Sequence, residues 1–568
     1  MNRRDAETLR KWKMENGKWR MPLPRFLIFH YAFSIIHFLT LCLCVSAVNF
    51  SCSSKPTDLR TLVPAETLIY LETNDLAAAL QPIVDSKPFM EVAKSKPDFS
   101  ALKGVQLAVA VTGFQTSEEK LTDEHSVGRI QPHFVAIADT HAWQFQTVTF
   151  AEQKLGAFVA QIYDSEPTLE KAEKSDGRFF TWTAKDGRKA YALVKGGLIY
   201  FGNDESAIDK CLAVRSGEAD SIAKTGKVRS SPTETLATGY VSSDGIAQIA
   251  NIVALKFAAE AGDNSDIQSA IAGFLPQLLR NLVTEISWTA TKTEQGIEDK
   301  YIVSMPPEIA NIFSETLGAL KESEGVALQN HTMLAQLPEA VQIATRYNLK
   351  DPQIAWRSIL LVGQKSMGNL DGRILSEFAN LLFDPYSIRD PELFLGSIGN
   401  KPNISRNIIT AKLDVQSDDS FVIAGRGDDD ATRKSLFPGF KPPAQIIEGG
   451  LNIWTDEDTQ VAFDQDMIKI GPKDDLQRFN GMRLGELKDV RGEGLRRLGT
   501  SKAPVATFGR DTTTPLSLVE MLAHEGNRDT KAVSTYYTET RFTKSGMERQ
   551  TTSDFGLIGS IIAQLGSD

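Results

Sequence analysis

Five histidines lie beyond residue 50: His125, His133, His141, His331 and His524. A helix-borne zinc site needs histidines four residues apart on one face. No such pair occurs, and His524-Glu525 has no second histidine to complete it. His133, Asp139 and His141 share odd numbers, so an unbroken strand would aim all three at one face. A turn expected near Thr140 breaks that alignment, and the three are read as structural rather than metal-ligating.

Serine chemistry has two leads. Ser100-Ala-Leu-Lys103 and Ser221-Ile-Ala-Lys224 fit Ser-x-x-Lys, and Lys224-Thr225-Gly226 fits the Lys-Thr-Gly element of penicillin-recognising enzymes. Those enzymes place the two elements far apart. Here both would have to use Lys224, and one lysine cannot fill both roles. No Gly-x-Ser-x-Gly elbow is present. The acidic runs Asp418-Asp419, Asp428-Asp429-Asp430 and Asp456-Glu457-Asp458 lack the alternating carboxylates and bend glycine of a calcium loop. They read as solvated turns, as does the adhesion-like triplet Arg426-Gly427-Asp428. The expectation is no catalytic, metal or cofactor-binding residue.

Cysteine chemistry reduces to two positions. Cys42 and Cys44 lie in an apolar run, Cys52 follows it, and Cys211 sits in the helical pattern Ala207-Ile-Asp-Lys-Cys-Leu-Ala-Val214. Cys211 is expected as a buried, inert thiol. The run from Phe26 to Val48 carries no Asp, Glu, Lys or Arg and is preceded by Arg20 and Arg25. Basic flank, apolar stretch and small residues make a secretory signal. Two cleavages compete. One follows Val45-Ser46-Ala47. The other uses Asn49-Phe50-Ser51-Cys52 as a degenerate lipobox and makes Cys52 the lipidated N-terminus, with Ser53-Ser54-Lys55-Pro56 as a polar tether. An uncleaved anchor is the third reading, since about 20 apolar residues span a bilayer. Residues 1–51 are thus read as signal, with a more normal start at Met21, and 52–60 as tether.

The chain has 568 residues, enough for more than one domain, and 42% apolar residues, enough for packed cores. Removing residues 1–51 leaves 54 basic and 69 acidic residues, a formal charge of −15. An acidic body without a basic cluster argues against nucleic acid as a partner.

The elements that must position these residues come in matched pairs. Leu62-Val-Pro64 opens a strand at Leu68–Glu72, after which Asn74-Asp75 caps a helix from Leu76 to Val84. Leu337-Pro338 opens Val341–Thr345, and a helix follows Asp351-Pro352; the two prolines are 274 apart. Lys189–Val194 and Leu198–Gly202 form a hairpin followed by a helix from Glu205 to Val214. Thr459–Phe463 and Met467–Gly471 are followed by Asp475–Phe479, with the glycines 269 apart. Hairpins around Gly296 and Gly546 make the third pair, 250 apart. Helices are also expected at 246–261, 266–282, 373–382 and in the terminal stretch 555–565, with loops at 116–129, 426–435 and 438–443. Strands in adjacent pairs favour antiparallel sheet. The fold class is therefore α+β: two tandem copies of a domain, 61–325 and 326–568, each a mainly antiparallel sheet packed against helices.

The opening Leu62-Val-Pro-Ala-Glu-Thr-Leu-Ile-Tyr-Leu-Glu72, together with Lys189-Ala-Tyr-Ala-Leu-Val-Lys-Gly-Gly-Leu-Ile-Tyr-Phe-Gly202 and its helix, resembles the DUF3352 family of exported bacterial proteins. Val63 stands where the family has Leu, and Glu66 where it has Asp. The resemblance covers most of 60–320. It implies an extracytoplasmic bacterial protein and carries no catalytic residue with it. The functional expectation is an exported, membrane-tethered envelope protein, non-catalytic, binding an envelope protein or polymer. The alternative is an extracytoplasmic hydrolase with a divergent site.

Overall fold

A computed structural model of the chain describes residues 57–120, 126–163, 165–229, 234–260, 275–320, 332–337, 341–367, 376, 379–380, 383, 386–399, 404–413, 420–437, 444–448, 451–455, 459–472, 490–523, 526–527 and 530–565. The signal, Cys52, His125, His331, His524, the segments 438–443 and 475–479 and most of 373–382 lie outside them. Of the expected helix 266–282, only 275–282 is described, and it is helical.

The chain divides into two compact units, and the division does not follow chain order. Of the described residues, the larger gathers those up to 320 with those within 348–376 and 501–565; the smaller holds those within 332–347 and 379–500.

The larger unit is built on β1 (Ile69–Thr73), β2 (Gln106–Lys120), β3 (Ser126–Asp139), β4 (Thr168–Lys174), β5 (Gly177–Thr183), β6 (Lys189–Lys195), β7 (Leu198–Gly202), β8 (Thr235–Ser242), β9 (Glu285–Thr293) and β10 (Gly296–Ser304). The smaller uses β11 (Ile343–Tyr347), β12 (Ile408–Lys412), β13 (Ser420–Gly425), β14 (Ala444–Glu448), β15 (Leu451–Thr455), β16 (Thr459–Phe463) and β17 (Met467–Pro472). The larger is completed by β18 (Val505–Asp511), β19 (Ser534–Thr543) and β20 (Gly546–Ser553).

In the larger unit the strands run β4-β5-β6-β7-β3-β2-β1-β8-β9-β10-β20-β19-β18, every neighbour antiparallel. In the smaller they run β14-β15-β16-β17-β13-β12-β11, also antiparallel throughout. The smaller unit's order therefore repeats β4-β5-β6-β7-β3-β2-β1 element by element, and β18-β19-β20 repeats β8-β9-β10. The antiparallel α+β architecture is the one the paired strand patterns predict.

Helices α1 (Leu76–Asp85), α2 (Lys87–Val92), α3 (Gln144–Phe150) and α4 (Gly156–Ile162) lie in the first part of the larger unit. They are followed there by α5 (Glu205–Ser216), α6 (Ser243–Glu260), α7 (Pro307–Thr316) and α8 (Pro352–Met367). The smaller unit contributes α9 (Pro391–Ser397), α10 (Asp429–Leu436) and α11 (Val490–Thr500); α12 (Thr514–Leu522) and α13 (Gly556–Leu565) return to the larger. Short polar caps set their starts: Asp75 accepts from Ala78 N at 3.0 Å and Asp351 from Ile354 N at 2.9 Å. Among the described residues no helix is long and apolar enough to cross a membrane.

The larger sheet is buried on both faces. Leu107, Val109, Phe134, Ala136, Phe180 and Trp182 pack with α1, α2, α4, α12 and α13. Tyr70, Ala108, Ala110, Val135, Ile137 and Tyr200 face the other way, under the 3₁₀ turn Leu59–Leu62 and α5. Residues of opposite parity thus feed two cores, as strand geometry requires. In the smaller unit β13, flanked by β17 and β12, is buried at all six positions.

Two expected loops are ordered elements. Residues 116–129 largely extend the β2–β3 hairpin, with Lys120 opposite Ser126. Their backbone pairs without apolar alternation, so the period-2 signal was absent. Residues 429–436 form α10 because Asp428 caps it, accepting from Asp430 N at 3.0 Å and Ala431 N at 3.1 Å, and Asp430 pairs with Lys434 at 2.8 Å.

Candidate functional site

The structure separates His133 from the other two members of the histidine–aspartate trio, while His141 Nδ1 stays 3.3 Å from Asp139 Oδ1. His133 and Asp139 stand six residues apart on β3, about 20 Å at the rise of a strand. His133 Nδ1 meets Asp204 Oδ2 at 2.6 Å, and Asp204 caps α5 by accepting from Ser206 N at 3.1 Å. Burial raises the Asp204 pKa, but the Ser206 and His133 hydrogen bonds outweigh it and hold the carboxyl below its ordinary range. Asp139, at the other end of β3, accepts from Thr57 Oγ1 at 2.6 Å and from His141 N at 3.0 Å, while His141 turns with φ 52°. Each of these residues fastens a turn or cap. Among the described residues no group of three or more His, Cys, Asp or Glu gathers into a metal-binding cluster.

The serine–lysine leads come apart in the same way. Ser100 Oγ donates to Asp98 at 3.0 Å, and the Lys103 side chain is exposed. Ser221 is buried at the start of a 3₁₀ turn, whereas Lys224 reaches out to Asp220 at 2.9 Å. Thr225 caps Ile222 O at 2.7 Å, and Gly226 has φ 68°. The Arg426-Gly-Asp428 triplet is internally occupied: Arg426 grips Asp429 at 2.7 and 3.0 Å and Asp428 caps α10. Cys211 is fully buried, and burial pushes its thiol up to about 12, so it is not a nucleophile at neutral pH.

The polar cluster that the fold does assemble joins two short stretches. Asp58 caps the turn Leu59–Leu62, and its two oxygens take Arg60 Nε at 2.9 Å and Nη2 at 2.8 Å, a two-pronged pair. Arg60 Nη1 donates to Val228 O at 2.7 Å. Beneath this pair on β1 lie Tyr70, wholly buried, and Glu72, 6% exposed. Tyr70 Oη and Glu72 Oε2 are buried without a hydrogen-bond partner of regular geometry. Burial raises the Glu72 pKa; the nearby Tyr70 hydroxyl and Arg60 oppose the shift and Asp58 adds to it. Burial, then the charge of Glu72, puts the Tyr70 phenol well above its usual value. A carboxyl whose ionisation is disfavoured keeps its proton to a higher pH than a free one. Leu59, Leu62 and Val63 share Tyr70's core cluster, so the Leu59–Leu62 turn covers the Tyr70 side of this pair.

The sequence reading missed this cluster. Its one local signal is the Tyr70–Glu72 spacing, which puts both side chains on one face of a strand; the approach of Asp58 and Arg60 depends on the tertiary fold. At the matched position of β11, 274 residues later, Tyr70 corresponds to Ala344 and Glu72 to Arg346. Arg346 is buried as well, but it donates to Asn407 Oδ1 at 3.0 Å and to Leu498 O and Gly499 O at 3.2 and 3.3 Å, capping the end of α11.

No family model, curated protein or solved structure matches the chain.

Proposed function

We propose that the chain is an exported bacterial envelope protein, tethered to the membrane at its N-terminus through Cys52, that binds another envelope protein or polymer. Its body is a tandem duplication of one α+β domain, akin to the DUF3352 proteins. The strand order supports this reading: the same succession of strands is laid out twice, while the polar residues at matched positions differ, Glu72 in one and Arg346 in the other. A repeated scaffold suits a binding role, and among the described residues the histidine, serine–lysine and Arg426-Gly-Asp428 leads are taken up by caps and turns.

The tether is tested by the intact mass of the mature chain from cells. A diacylglyceryl group on Cys52 is the expected result; a chain beginning at Val48 overturns the lipoprotein reading. The Tyr70–Glu72 pair favours a second reading, a hydrolase using Glu72 as proton donor. Ester or glycoside hydrolysis by the purified chain that disappears in Glu72→Gln would establish it.

A further inference from the structure

Two large aromatic side chains stand in solvent at the start of α3: Trp143 is 73% exposed and Phe145 69%. The same helix buries Thr147 and rests Val148 and Phe150 against the core, so the aromatics lie off its packed face. Their position is fixed. Thr140 donates through both N and Oγ1 to Gly197 O, at 3.1 and 2.9 Å, and Ala142 N donates to Thr140 Oγ1 at 3.3 Å. Gln146 closes the first turn of α3, its Oε1 accepting from Trp143 N at 3.2 Å.

This end of the sheet is also where the N-terminal segment arrives. Thr57 is held by three hydrogen bonds: its N donates to Gln106 Oε1 at 2.8 Å, its O accepts from Gln106 Nε2 at 2.9 Å, and its Oγ1 donates to Asp139 Oδ2 at 2.6 Å. Gln106 and Asp139 are themselves paired across β2 and β3. Asp139 is four residues before Trp143. Four residues separate Cys52 from Thr57, and the five steps between them reach about 17 Å at full extension. A lipid on Cys52 therefore keeps the Asp139 end of the sheet within that distance of the bilayer.

We infer that Trp143 and Phe145 form a second membrane contact, seated in the interfacial layer of the bilayer that holds the N-terminal anchor. The inference rests on the tether reading above. Trp favours this layer because its ring is apolar while its N–H still finds a polar partner. The occupant is lipid rather than protein because the anchored segment and the aromatic pair leave the fold at the same end.

The test uses the full mature chain reconstituted in phosphatidylcholine vesicles with or without brominated acyl chains. Tryptophan emission is compared between wild type and Trp143→Phe, so the difference isolates Trp143. The expected result is a difference signal quenched at least twofold by brominated lipid and resistant to aqueous iodide, with quenching reduced in Phe145→Ser. Flotation with the vesicles while the Trp143 signal ignores brominated lipid overturns the contact and leaves the tether standing. A signal shielded from both quenchers indicates a protein occupant and also overturns it. Failure of the chain to float overturns tether and contact together.

Discussion

Lys300 on β10 stands directly opposite Gln550 on β20, and each lies four residues after a matched turn glycine, Gly296 or Gly546. The offset of 250 that relates the glycines thus relates a cross-strand pair to itself. The same offset recurs at the glycines. A Cβ on Gly296 would meet the Ser553 carbonyl oxygen and one on Gly546 that of Val303, residues again 250 apart. Two hairpins that meet in this register are related by a local two-fold axis between Lys300 and Gln550.

Both glycines hold φ values that L side chains rarely adopt, 120° and 139°. Gly296→Ala and Gly546→Ala are therefore each expected to destabilise the fold by about 1–3 kcal/mol, through backbone strain plus the carbonyl clash. Denaturant midpoints of the two variants check this. Equivalence of the sites predicts comparable losses, and a neutral effect at one glycine alone would count against it.

Asp299 on β10 gives a pH signature. It is buried, accepts from Trp288 Nε1 at 2.9 Å and from Leu557 N at 2.8 Å, and burial drives its pKa up to about 6 despite both hydrogen bonds. Below the unfolded value near 3.8 the carboxyl is protonated in both states. As pH rises toward 6 the unfolded chain gives up the proton first, so this group's contribution to stability falls with rising pH. The fall amounts to about 3 kcal/mol across that window. Unfolding free energies of wild type and Asp299→Asn between pH 4 and 6 should show the downward slope attenuated in the variant. Parallel curves would contradict the assignment.

Asp204 ties β3 to α5 through His133 and Ser206. Asp204→Ala should cost about 0.5–2 kcal/mol, the usual loss for a helix cap. The check is a shifted urea midpoint with unchanged slope, while His133→Gln, which leaves the cap intact, should cost less.

Cys211 should resist alkylation. With the thiol buried and pushed up to about 12, iodoacetamide at pH 8 is expected to leave the Cys211 peptide unmodified in the folded chain and to modify it fully in denaturant. Rapid native labelling would show that α5 opens readily.

What could be read in advance follows the range of the interactions. The strand at Ile69–Thr73, the Asp75 cap, the 459–463 strand and the terminal helix were legible because period and capping are local signals. The α10 segment was misread as a loop, since its three aspartates look like a turn until Asp428 is seen capping and Asp430 pairing forward. The return of 501–568 to the larger unit, through β10 and β20, has no local signature, because register between strands some 250 residues apart is set by tertiary packing. The Asp58–Arg60–Tyr70–Glu72 cluster escaped for the same reason.

The most direct test of the central claim is capture of the tagged chain from intact cells after mild cross-linking, read by mass spectrometry with cross-linked residues assigned. A tethered binding protein predicts one stoichiometric envelope component joined to exposed residues of the body. Recovery of nothing above an untagged control would contradict it.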